Sequence, residues 1–140
     1  MSGKAESRLI YNSISASGRV ASLGVKGALL YTWLITHCDS QGRIQGKPMF
    51  LKATIFPLMD EIGVEDITES IELMAQEGLI TYYHDNKSAP LIQINDWWEY
   101  QTKLKYKAPS RFQPPEGWID QETPRDENGR FIKEDELAYR

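Results

Sequence analysis

The chain is short of the residues that carry most side-chain chemistry. It has one cysteine, Cys38, and two histidines, His37 and His84. A lone cysteine cannot close an internal disulfide, so the sequence reads as cytoplasmic. Cys38 ends an apolar stretch, where a small buried hydrophobe is expected rather than a reactive thiol. The histidines lack partner cysteines or clustered carboxylates at metal-ligand spacing, so neither a metal nor another cofactor is expected. A Gly-rich phosphate loop, a nucleophile elbow and a zincin helix are all missing. Asp60-Glu61 and Glu65-Asp66 are acids adjacent in sequence, and such neighbours do not face each other on a helix. An enzyme is therefore not expected. No apolar run approaches the roughly 20 residues that cross a bilayer, and the first residues lack a signal-peptide core. No membrane partner is expected.

Positive charge is scarce in only one place. The 140 residues carry a net charge of −4. Residues 1–115 hold twelve cations and twelve acids, whereas 116–140 hold eight acids against four cations. The length fits a single domain. The expected organisation is one folded domain over 1–115, ending in a basic extension, and an acidic, flexible tail over 116–140. Phe131-Ile132 and Leu137 are the tail's only seed for a short helix against a partner.

What the chain does have is a change of period between Ile67 and Ile94. Val64, Ile67, Ile71 and Met74 fall on one helical face. Asp66 and Glu69 have the spacing of an N-cap and its N3 partner. Gly78 stands where a left-handed residue would end that helix. Beyond it the apolar period shortens to 2 at Ile80 and Tyr82, and again at Ile92 and Ile94. Asp85-Asn86-Lys87-Ser88 between them is turn chemistry.

Earlier in the chain, Val25, Ala28, Leu29, Leu34 and Ile35 predict a helix near 24–38, capped by Ser22. Asp39 to Gly42 reads as a turn and Arg43-Ile44-Gln45 as a short strand. Pro48 opens a helix that carries Met49, Phe50, Ala53 and Phe56. A further helical segment starts near Trp97, with both tryptophans expected to pack on the domain. Leu29, Ile35, Phe56, Ile67, Ile71, Ile80 and Ile94 are the predicted core. The order of elements predicts an α+β winged helix-turn-helix: a three-helix core, a wing of two to three strands, a C-terminal helical segment and the tail.

In a DNA reader the third helix offers Arg, Lys, Asn or Gln to base edges. Here no basic residue occurs from Ile62 to Tyr83, and the expected exposed positions are Glu65, Asp66, Glu69, Glu72, Gln76 and Glu77. Glu69 and Glu72 suit a protein-binding or merely solvated face better. The cations follow the wing instead, as Lys103, Lys105, Lys107 and Arg111, interleaved with Tyr100, Tyr106 and Phe112. That mixture combines phosphate attraction with ring stacking, and Lys87 at the wing tip adds one more contact.

The ordered set Leu29-Leu30-Tyr31, Asp39-Ser40-Gln41-Gly42-Arg43, Lys52-Ala53-Thr54-Ile55-Phe56-Pro57, Glu77-Gly78-Leu79-Ile80 and Pro109-Ser110-Arg111-Phe112 carries a resemblance. It is similar to the N-terminal winged-helix domain of phage replication initiators, the replisome organisers among the DnaD-like replication proteins. The likeness spans roughly residues 8–115. It implies double-stranded DNA binding in replication initiation and a replisome protein partner. The acidic residues after Pro115 depart from the family pattern, so helicase-loader recruitment is not carried over. The rival expectations are a protein-interaction module using the acidic helix and tail, and a transcriptional regulator of the same fold.

Overall fold

A computed structural model of the chain describes residues 6–132. It is an α+β fold built on one three-stranded antiparallel sheet. A 3-10 turn at Asn12–Ala16 leads to α1 (Gly18–Ala21) and α2 (Gly24–His37). Then come β1 (Arg43–Gln45), α3 (Pro48–Ile55) and α4 (Val64–Gln76). The hairpin β2 (Ile80–His84) and β3 (Pro90–Ile94) follows, with a last helical turn α5 (Trp97–Tyr100). Among the described residues no helix is long and apolar enough to cross a membrane.

The ends of the helices show how local chemistry sets these boundaries. Ser17 caps α1 by accepting the Val20 N–H at 3.3 Å. Ser22, expected to cap α2, instead donates its hydroxyl to Arg19 O at 2.7 Å. The cap of α4 sits three residues earlier than the spacing suggests. Gly63 is the N-cap, and Asp66 reaches back to its N–H at 2.9 Å. An acid at N3 satisfies an orphan N–H as readily as an N-cap acid does, so the spacing alone allows either frame. At the other end Gly78 has a φ of 75°. Its N–H meets Ala75 O at 3.1 Å and the Leu79 N–H meets Met74 O at 3.0 Å, which closes the helix in a Schellman motif.

Ile35, Phe56, Ile67, Ile71, Ile80 and Ile94 are buried as expected, while Leu29 is half-buried. α2 is rotated from its expected face: Gly27, Leu30, Tyr31, Leu34 and Ile35 point inward, and Val25 is 87% exposed. Gly27 allows α4 to come close, since a Cβ there would lie 3.3 Å from Ser70 Oγ. In α3, Leu51 and Ile55 turn inward and Met49 is exposed. Cys38 lies in the core, where burial pushes its thiol far above the usual range.

The strands run in the order β1-β3-β2. Ile44 pairs with Ile92 and Ile80 with Ile94, which puts these four isoleucines on the helix side. Arg43, Leu91 and Gln93 therefore face the other way. That outer face is not open to water, because all three are buried. Residues 101–123, called here the strap, bond to this side of the sheet at Ala108, Phe112, Asp120 and Gln121. Of the expected tail, Asp120, Gln121 and Thr123 form hydrogen bonds with Arg43, Gln41 and Lys107. Leu137 lies outside the described residues.

Candidate nucleic-acid interface

The strap is held by polar side chains that rise from the turn before β1. Asp39 Oδ1 accepts the N–H groups of Gln41 at 2.9 Å and Arg43 at 3.1 Å, which fixes the turn. Asp39 Oδ2 accepts the Ser110 hydroxyl at 2.5 Å, which ties the strap to it. Gln41, fully buried, grips two passes of the chain: its amide donates to Ala108 O at 2.8 Å and Gln121 O at 2.6 Å. Arg43 donates from Nε to Gln93 Oε1 at 2.8 Å, from one terminal nitrogen to Phe112 O at 2.9 Å, and from the other to the Asp120 carboxylate. Gln93 in turn donates to Gln41 O at 2.9 Å. Trp97 packs over Gly42, whose φ of 82° and lack of a Cβ admit the ring, and its N–H reaches Ser40 O at 2.8 Å.

The hairpin tip is joined to the same segment. Gln113 accepts the Tyr83 hydroxyl on its carbonyl at 2.5 Å and the Asn86 N–H on its side chain at 3.1 Å. Burial pushes the Tyr83 phenol up to about 12. Asp85 Oδ1 accepts the N–H groups of Ala89 at 2.9 Å and Lys87 at 2.8 Å. Those two bonds hold its carboxyl below the usual range.

Lys87, Lys103, Lys105 and Arg111 are exposed, and none has an acid within ion-pair distance among the described residues. Gln113 links two of them: it is two residues from Arg111 and bonded to Asn86, next to Lys87. Lys107 is different. It is half-buried, its ammonium donates to Gln121 Oε1 at 3.2 Å, and it lies 5.4 Å from the Trp98 ring centre. Its backbone N–H is also bound, by the Thr123 hydroxyl at 2.8 Å. Lys107 is therefore used inside the strap, while the other four form no ion pair among the described residues.

Glu69 and Glu72 are exposed on α4 and line a groove together with Pro48, Leu73, Ala75 and Tyr82. Neither forms an ion pair among the described residues. Asp66 is spent elsewhere: the Gly63 N–H and the Lys26 ammonium, 3.3 Å away, lower its pKa.

The residues that build this site, Gln41, Arg43, Gln93 and Asp120, have no periodic signal. Arg43 and Gln41 stand in the Asp-Gly-Arg turn, and that motif is the one hint the sequence offers of them. Comparison with known proteins finds no match to a family model, to a curated protein or to a solved structure.

Proposed function

We propose that the chain is a winged-helix protein that holds double-stranded DNA by its phosphates, in a phage or prophage replication-initiation setting. In this reading α2, α3 and α4 are the three-helix core and β2–β3 is the wing. The resemblance noted above supplies the replication setting. The observation that carries the DNA reading is the set of exposed cations Lys87, Lys103, Lys105 and Arg111 on the strap and wing tip, none in an ion pair among the described residues. Free cations release condensed counterions when they meet phosphates, and that term is independent of sequence. The acidic α4 repels phosphate and stands away from the groove. Lys107, already engaged within the strap, is left out of the contact set.

The test is a salt titration of duplex binding by fluorescence anisotropy. Four phosphate contacts give a log-log slope of about −3.6. Changing Lys103→Glu, Lys105→Glu and Arg111→Glu together should abolish binding with the fold intact, since all three are exposed. A triple variant that binds as well as the parent ends this reading.

The groove beside Glu69 and Glu72 favours a second reading, docking of a basic protein segment on α4. It expects no DNA affinity at low salt, and loss of a protein partner when both acids become Gln. The DNA reading expects the same double variant to bind DNA unchanged or slightly more tightly.

A further inference from the structure

The last described residues fold into a small hairpin. Arg125 and Phe131 form a bridge, the Asp126 N–H donates to Arg130 O at 2.8 Å and the Ile132 N–H to Pro124 O at 2.8 Å. This hairpin lays Phe131 on Tyr106 of the strap, with ring centres 5.1 Å apart and planes 20° from parallel. The Arg125 guanidinium lies over Phe131 at 3.9 Å and is held there by donating to Gly129 O at 2.6 Å. Phe131 thus has both the Tyr106 ring and the Arg125 guanidinium within stacking distance. Tyr106 has one face on Phe131. The Lys105 ammonium also lies by the Tyr106 ring, 5.4 Å from its centre.

We propose that an unpaired base of single-stranded DNA stacks on the Tyr106 face not taken by Phe131, displacing the Lys105 ammonium onto a neighbouring phosphate. The inference rests on the strap meeting DNA phosphates, as argued above. An exposed ammonium gains little from a ring face, and it gives way to a base, whose whole π surface covers the ring. The exchange keeps the cation in use, since Lys105 is then beside the strand's backbone with Lys103 two residues away. Phe131 and Arg125 fix the Tyr106 ring before the base arrives, so little freedom is lost on binding. A duplex offers no such base, because its bases are already stacked and paired.

The experiment compares oligo-dT with an abasic strand of equal length, which carries the same phosphates and no bases. Anisotropy should show oligo-dT bound about tenfold more tightly, within the range of one base-aromatic stack. Tyr106→Leu keeps apolar packing on Phe131 but removes the π face. It should bring oligo-dT down to the abasic level while abasic and duplex binding stay as in the parent. Phe131→Leu controls for a loosened hairpin: it disturbs the stack from behind and should retain a preference for oligo-dT. Equal binding of the two strands by the parent, or a preference that survives Tyr106→Leu, overturns the base site alone. A parent that binds no strand and no duplex overturns the phosphate reading with it.

Discussion

A guanidinium without exposed surface must find acceptors inside the protein, and Arg43 finds them on three separate stretches of chain. Its side chain is 0% exposed, against 23% for Asp120. Arg43→Ala would leave the Gln93 and Phe112 oxygens and the Asp120 carboxylate without their donor. The expected loss is about 3 kcal/mol or more, the range for breaking a buried pair from one side, read from chemical denaturation. Arg43→Lys should not rescue it, because an ammonium cannot fork to three acceptors spread in one plane. Asp85 gives a prediction in pH. Its folded pKa lies below the ordinary carboxylate value because the Ala89 and Lys87 N–H groups bind the charged form. Its stabilisation of the hairpin tip is present above about pH 4, the unfolded value, and is lost as pH falls through the lower folded one. Amide exchange at Lys87 and Ala89, corrected for intrinsic rates, should speed up in that acid window. Asp85→Asn should remove the pH dependence.

At the scale of elements, α4 and the hairpin after it depend on one buried face. Ile71, on the helix that packs against both α2 and α3, is 3% exposed. Truncating it to Ala should cost about 2–5 kcal/mol, and an unfolding midpoint that does not move would mean that α4 faces another way. α4 and the hairpin were legible in the sequence because polar and apolar positions alternate cleanly there, first at 3.6 and then at 2. α3 was legible as a helix but not in its phase. Met49, Phe50, Leu51, Ala53 and Ile55 are all apolar, so periodicity cannot say that Leu51 and Ile55 turn inward. The same ambiguity placed Val25 on the wrong side of α2. Of the candidate cations, Lys103, Lys105 and Arg111 are as exposed as their polar neighbourhood implied. Lys107 is not, and only its contacts with Gln121 and Trp98 reveal why.

For the molecule as a whole, the outer face of the sheet needs the strap as its cover. Removing residues 116–140 takes away Asp120 and one of the two grips of Gln41. Thermal unfolding of that truncated chain should start well below that of the full chain, with Leu91 and Arg43 opened to water. None of this cover was readable in advance. It docks largely through backbone carbonyls, those of Ala108, Phe112, Gln113 and Gln121, and a carbonyl has no residue identity to read. The separations involved also set an order of events during synthesis. The bond from Arg43 to Asp120 spans 77 positions, and that from Gln41 to the Gln121 carbonyl spans 80. The α2–α4 core and the hairpin are complete by Ile94, so they are free to form while the strap is still inside the ribosome. Until Asp120 emerges, the nascent domain has an uncovered sheet with a charged Arg43 on it. At about 5–20 residues per second that interval lasts seconds, long enough for a chaperone to occupy the face first.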